Sequence, residues 1–86
     1  MPNNITILGV LINSEKTSIS EIQEIFTSYG CCVRTRLGLN QTDGKTATNK
    51  RLILLELEGD KEERLNLENA LQESKGVEVK KMEFVL

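Results

Sequence analysis

The sequence contains no histidine and no tryptophan, and its aromatic residues are limited to Phe26, Tyr29 and Phe84. Histidine is the commonest general base of enzymes and the commonest metal-binding side chain. Its absence removes Ser-His and Cys-His catalytic pairs as well as imidazole metal sites. We therefore expect no catalytic residue, no metal ligand, no cofactor and no enzymatic activity. Six glutamates lie on the predicted solvent sides of helices, where charged residues are usually solvated: Glu21, Glu24, Glu62, Glu63, Glu68 and Glu73.

Long apolar segments are also missing, because no stretch approaches the roughly 20 apolar residues of a membrane-spanning helix. The run ITILGVLI near the N-terminus lacks the preceding basic residues of a signal peptide. Two cysteines are too few for a disulfide scaffold in a chain of 86 residues. These absences predict a cytoplasmic protein that has free thiols and no membrane partner.

Charge of one sign is not concentrated anywhere in the chain. The 11 basic and 13 acidic residues alternate and give a net charge of -2, so no basic face is offered to a phosphate backbone. The predicted central strands, ITILGVLI and RLILLELE, carry no aromatic side chain on which a base could stack. We therefore expect no direct nucleic-acid partner.

A chain of this length has room for one hydrophobic core, which predicts a single domain over residues 1–86. Apolar and β-branched residues at 5–12 predict a first strand. The capping box S-x-x-E at residues 18–21 predicts the start of a helix. Gly30 is expected to end this helix in the left-handed conformation.

The rest of the chain repeats this order of elements. Residues 31–39 alternate with a period of two, which predicts a strand, and the polar segment 40–50 predicts a hairpin connection to a third strand at 51–58. Asp60 and Glu63 predict the capped start of a second helix. Residues 77–86 predict a last strand with a bulge at Lys80-Lys81. The order predicts an α+β, ferredoxin-like βαββαβ two-layer sandwich, in which two helices cover one face of an antiparallel four-stranded sheet.

The first and third strands, expected at the centre of the sheet, are apolar on both of their faces. A two-layer domain leaves one sheet face uncovered, so these residues predict an apolar patch of the kind that marks an interaction surface. We expect a homodimer or homotetramer that forms through this open sheet face. The alternative is that the residues only reflect high β-propensity. The residues predicted for the interface are Leu8, Val10, Ile12, Leu52 and Leu54.

The adjacent cysteines Cys31 and Cys32 would point to opposite faces of a strand, so they could not bind one metal ion together. Cys31 is expected to pack in the core as a small hydrophobic residue. Cys32 would share its face with Arg34 and Arg36, whose charge would favour the thiolate. Cys32 is therefore the candidate for a reactive thiol, and the alternative is that it packs like Cys31.

Arg34 and Arg36 also have two alternative roles. Glu56 and Glu58 could lie across from them on the neighbouring strand and form exposed ion pairs. Alternatively, one arginine at the edge of the interface holds an anionic ligand, for which Arg36 is the candidate.

Three segments, YGCCVRTRLGL, RLILLELEGD and LQESKGVEVKKMEF, resemble the small stand-alone ACT-like proteins of the iron-only hydrogenase system regulator family. In that family a helix ends before a short R-x-G-hydrophobic strand, and a G-V-x-V-K-x-M segment forms the last strand. The matching residues here are 36–39 and 76–82. The resemblance covers residues 5–84, and its motifs are structural.

The resemblance implies a fold related to ACT domains and to the ligand-sensing domain of nickel-responsive repressors. The histidine ligands of those repressors have no counterpart in this chain. Amino-acid-binding ACT domains usually carry an Asp-x-Pro-Gly-like loop after the first strand, where this chain has NSEKTS. The corresponding ligand residues would be Asn13, Ser14 and Ser18.

The function implied is that of a non-enzymatic regulatory or small-ligand-sensing module of a hydrogenase-type system. No DNA-binding segment is present in the sequence, so regulation would act through a partner protein. The alternative is a purely structural protein-protein interaction subunit without a small-molecule ligand.

Overall fold

The computed structural model describes residues 4–13, 15–39 and 50–86, which form a ferredoxin-like βαββαβ fold as the sequence predicts. The predicted hairpin connection at 40–50 lies outside the described residues except for Lys50. The elements are β1 (Asn4–Asn13), α1 (Ile19–Ser28), a 3₁₀ turn (Gly30–Cys32), β2 (Val33–Leu39), β3 (Lys50–Leu57), α2 (Lys61–Gln72) and β4 (Val77–Val85).

The four strands form one antiparallel sheet in the order β2-β3-β1-β4, so that β1 and β3 are central as predicted. Leu8 of β1 lies between Leu55 of β3 and Lys81 of β4. Both helices contribute to a single core on one face of this sheet, through Ile22 of α1 and Leu67 of α2. The two-layer architecture is therefore confirmed.

Both helices begin at the predicted caps. The Ser18 hydroxyl accepts a hydrogen bond from the Ser20 backbone N–H at 3.2 Å, and the Asp60 carboxylate accepts one from the Glu62 N–H at 3.2 Å. Caps of this type satisfy an N–H that has no partner inside the helix and contribute about 1 kcal/mol each.

Neither helix ends at a glycine. α2 ends at Gln72, where the N–H of the cap residue Glu73 donates to the Asn69 carbonyl. Gly76 lies just before β4 and has the positive φ of 73° that only glycine adopts without strain, and a Cβ atom there would lie 2.7 Å from the Cβ of Lys16. Gly30 is not among the described glycines with positive φ, so the left-handed conformation predicted there is wrong. Instead, the Tyr29 N–H closes α1 by donating to the Ile25 carbonyl, and the 3₁₀ turn follows.

The core corrects the predicted orientation of β1. Leu8, Val10 and Ile12 were expected on the open face, but they are 0 %, 0 % and 1 % exposed and pack beneath the helices. Because β1 is apolar on both faces, its alternation fits either orientation. The other buried apolar residues are Ile22, Phe26, Cys32, Leu55, Leu57, Leu67 and Leu71.

The irregularity of the sheet lies in β2 and not in β4. The register of β2 against β3 shifts between Val33 and Thr35, which places one extra residue, Arg34, in β2. By contrast, β4 pairs with β1 without a shift from Val77 to Val85, so the bulge predicted at Lys80-Lys81 is wrong.

Within the described ranges, neither α1 nor α2 has the length and the apolar character that a membrane crossing requires.

Candidate functional site

The sheet face that points away from the helices, called here the open face, carries apolar residues from all four strands. The strand pairing defines it, since Ile7 lies beside Met82, and Leu54 lies between Gly9 and Leu37. These side chains are half-buried or exposed, and their positions alternate with those of the core residues. The apolar residues of the open face are Ile5, Ile7, Leu11, Leu37, Leu39, Leu52, Leu54, Met82 and Phe84.

Polar residues of both charge signs lie on the same face around this apolar area. The Thr35 hydroxyl donates to the Glu56 carboxylate at 3.0 Å. On the other edge strand, Glu78 lies beside Leu11 and Lys80 beside Gly9. An apolar centre with a polar surround is typical of a protein interaction surface.

Two of the five predicted interface residues, Leu52 and Leu54, are on the open face. Their neighbours from β1 are Leu11 and Gly9, and not the buried residues on the opposite side of that strand. The apolar surface expected from the sequence is therefore present in the structure. The side chains that β1 contributes to it are Ile5, Ile7 and Leu11, and not the predicted Leu8, Val10 and Ile12.

The predicted ligand loop after β1 is held by its own polar groups. The Asn13 side-chain oxygen accepts from the Glu15 N–H at 3.0 Å, and the Asn13 carbonyl accepts from the Lys16 N–H at 3.0 Å. Ser18 is occupied as the cap of α1. Ser14 lies outside the described residues. Asn13 lines a shallow depression of about 270 Å³ together with Lys16, while Ser18 does not.

Arg36 lies far from this loop. It pairs with Leu55 of β3, whereas Asn13 pairs with Lys50, and five residues of an extended strand span about 17 Å. The Arg36 guanidinium lies over the Phe26 ring, 4.8 Å from the ring centroid. The structure therefore does not bring Arg36 together with Asn13 in one site.

The bulge in β2 also changes the partners expected for the arginines. It brings Thr35, and not an arginine, opposite Glu56. Among the described residues Lys81 and Glu68 form an ion pair at 3.3 Å, whereas the ion pairs predicted for Arg34 and Arg36 do not form. The alternation predicted from the sequence assumed a regular strand, and the extra residue reverses the faces beyond it.

The two cysteines exchange the environments that the sequence predicts. Cys32 is 1 % exposed and belongs to the core, whereas Cys31 is exposed. The reason is local: both lie in the 3₁₀ turn, so the alternation of a strand begins only at Val33. Cys32 therefore does not share an exposed face with the arginines, and the assignment of a reactive thiol to it is corrected.

Neither thiol has the low pKa that promotes reactivity. The hydrogen bond that the Cys31 thiol donates to the Glu63 carboxylate, at 2.6 Å, raises the pKa of Cys31. Burial, and then the negative charge of Glu63, raise the pKa of Cys32. In the described parts of the chain, no group of three acidic or thiol side chains could hold a metal ion.

The sequence reasoning missed Arg64, which lies on α2 and points toward the sheet. Its guanidinium donates to the hydroxyl of Thr6 at 3.3 Å, and Thr6 is itself only 3 % exposed. The signal was present in the helical periodicity, because Arg64 precedes the buried Leu67 and Leu71 by three and seven residues and so belongs to the buried stripe of α2.

No protein-family model matches the sequence, and a search of curated protein sequences finds no significant relative. Solved structures do match. The uncharacterized protein TM1266 from Thermotoga maritima superimposes with a TM-score of 0.78 at 20 % identity, over 93 % of this chain and 95 % of that protein.

Two further structures are similar at greater distance. A formyltetrahydrofolate deformylase from Pseudomonas putida KT2440 matches with a TM-score of 0.55 at 12 % identity, over 91 % of this chain and 28 % of the enzyme. A dimeric ferredoxin-like protein of unknown function from Thermobifida fusca matches with a TM-score of 0.51 at 6 % identity, over 96 % of this chain and 91 % of that protein. At these identities the similarity establishes the ferredoxin-like fold.

Proposed function

We propose that the protein is a non-enzymatic ACT-like module that associates with copies of itself through the open face and senses or relays a small-molecule signal. The observation that carries the proposal is the apolar surface of the open face. Leu37, Met82 and Phe84 there are 52 %, 52 % and 51 % exposed, although they are large apolar side chains. Covering such a surface removes apolar area from water and is favourable.

A second copy of the chain is the occupant that fits best. In a two-fold dimer the same patch meets itself, so it must be self-complementary in shape and charge. The open face carries acidic residues, Glu56 and Glu78, as well as the basic Lys80, which allows opposite charges to meet around the apolar centre. The similar protein from Thermobifida fusca is described as dimeric, which agrees with assembly of this fold.

The regulatory part of the proposal rests on the resemblance to the iron-only hydrogenase system regulator family. The regulated system would be of the hydrogenase type, and the effect would pass through a partner protein. A cytoplasmic location fits the two free cysteines, since reducing conditions keep thiols unpaired.

Measuring molar mass by analytical ultracentrifugation tests the self-association. The variant Leu37→Glu places a charge on the open face, and Leu65→Glu is its control because Leu65, on α2, is similarly exposed at 42 %. We expect the wild type and Leu65→Glu to sediment as dimers or tetramers at micromolar concentration, and Leu37→Glu as a monomer. A monomeric wild type at this concentration would contradict the proposal.

A thermal-shift screen tests the sensing role. A ligand present at 100 times its dissociation constant stabilises the folded state by about 2.7 kcal/mol. We expect at least one class among amino acids, other small carboxylates, nucleotides and metal ions to raise the unfolding temperature. No response from the whole panel, together with a dimeric mass, would favour a purely structural interaction subunit instead.

A further inference from the structure

Arg64 is a half-buried cation with few partners. Its Nε atom is buried and has no hydrogen-bond partner among the residues that the structure describes. The guanidinium donates a hydrogen bond to the Thr6 hydroxyl, which is uncharged. Among the described residues Arg64 forms no ion pair. Polar atoms removed from water are normally hydrogen-bonded, so the buried Nε–H leaves room for an acceptor that an anion could supply.

A cavity of about 330 Å³ lies beside this guanidinium, between the start of α2 and the edge of the sheet formed by β1 and β4. Its volume is at the lower end of the range found for small-molecule sites, about 300–1,000 Å³. Thr6 lines the cavity with Arg64, and its hydroxyl accepts from Arg64 while keeping a proton to donate. Two donors therefore converge on one small space.

The charges around the cavity favour a single negative charge in the ligand. Lys61 lies three residues before Arg64, hence on the same face of α2, and also lines the cavity. Lys81 and Glu68 line it as well, but they are paired with each other at 3.3 Å. With Glu83 included, the lining has three basic and two acidic residues, an excess of one positive charge.

We propose that this cavity binds a small molecule through one carboxylate, which accepts hydrogen bonds from Arg64 and Thr6 and is attracted by Lys61. The planar guanidinium matches the geometry of a carboxylate. A phosphate dianion would exceed the positive charge available. The inference rests on the proposed sensing role, because it names the site and the ligand class for that role, and it does not depend on self-association.

An NMR titration of the ¹⁵N-labelled protein with sodium acetate tests the proposal, with sodium chloride at equal ionic strength as the reference. We expect saturable shifts of the amide signals of Thr6 and Arg64 with acetate and none that saturate with chloride. In Arg64→Gln the affinity should fall about tenfold, as expected for loss of a charge-assisted hydrogen bond. Equal shifts with both salts would overturn the proposal.

Two further variants control for effects on folding and on general charge. Lys61→Gln removes an exposed charge and should weaken acetate binding about threefold, the effect of a partly screened charge. Arg51→Gln removes an exposed arginine of β3 that does not line the cavity, and should leave the affinity unchanged. Equal losses in Lys61→Gln and Arg51→Gln would overturn the assigned location, and tighter binding of phosphate than of acetate would overturn the carboxylate assignment.

The molar mass of the same samples keeps the two proposals separate. Failure of acetate to bind to a dimeric protein would overturn the carboxylate site and leave self-association standing. Acetate binding by a protein that sediments as a monomer would support the site and overturn self-association.

Discussion

The two faces of the sheet carry the same kinds of side chain and yet have different surroundings. On β1, Leu8 and Val10 are both 0 % exposed beneath the helices, while their neighbour Ile7 is only half-buried on the open face. On β3, Leu55 is 0 % exposed and the adjacent Leu54 is half-buried. The difference lies in what covers each face: the helices cover one, and the proposed second copy of the chain would cover the other.

The pair Leu55→Ala and Leu54→Ala separates these roles and should give the largest effect. Leu55→Ala leaves a cavity in the core and should lower the free energy of unfolding by about 3 kcal/mol at every protein concentration. Leu54→Ala should cost less than about 1 kcal/mol at concentrations where the chains are monomeric, and more where they associate. Urea unfolding followed by circular dichroism at several protein concentrations measures both.

A concentration-independent cost for Leu54→Ala would contradict the comparison, because the open face would then contribute only to the stability of the single chain. Equal costs for the two variants would show that the faces do not differ in burial.

The sequence was sufficient where local chemistry determines the structure. The caps at Ser18 and Asp60 were predictable because a side-chain oxygen before a helix satisfies a free N–H. The order of the strands followed from right-handed crossovers in the two βαβ units.

The sequence was insufficient where two conformations satisfy the same pattern. The orientation of β1 could not be predicted because both sets of alternate residues are apolar, and only packing against Ile22 and Leu67 decides between them. The bulge at Arg34 shifts the register of β2 against β3 by one residue. The neighbouring residues of β2 include no proline or glycine from which the bulge could have been predicted. The helical periodicity of α2 indicates that Arg64 faces the sheet, but its contact with Thr6, which is 58 residues away in the chain, has no local signal in the sequence.

The free energy of unfolding at alkaline pH tests the comparison of covered and uncovered positions a second time. Cys32 is buried beneath the helices, whereas Cys31 is exposed. The folded state raises the pKa of both thiols above 9.0, so it retains protons that the unfolded chain releases. Stability from this source is complete below pH 9.0 and is lost as the pH rises through the folded pKa values. We expect the free energy of unfolding to fall in that range.

The variant Cys32→Ala should make this decline less steep, as measured by urea unfolding at a series of pH values. The slope is the informative quantity, because the substitution also changes packing by a constant amount. If the free energy of unfolding of Cys32→Ala falls with pH as steeply as that of the wild type, Cys32 does not contribute to the pH dependence. Cys31→Ala, which removes the thiol bonded to Glu63, gives the matching slope for the exposed position.

The smallest expected effect concerns Arg36, which the bulge places on the helix side of β2. Its guanidinium lies 4.8 Å from the centroid of the Phe26 ring, and exposed cation–π contacts contribute about 0.5–1 kcal/mol. Arg36→Gln should therefore lower the free energy of unfolding by about this amount, whereas Arg34→Gln should change it by less, since Arg34 has no such ring contact among the described residues.

A double-mutant cycle with Phe26→Leu isolates the contact from other losses at either position. Coupling of Phe26 to Arg36 but not to Arg34 is the result expected from the bulge. Absence of coupling to Arg36 would mean that β2 is regular and that both arginines lie on the open face, as first predicted from the alternation.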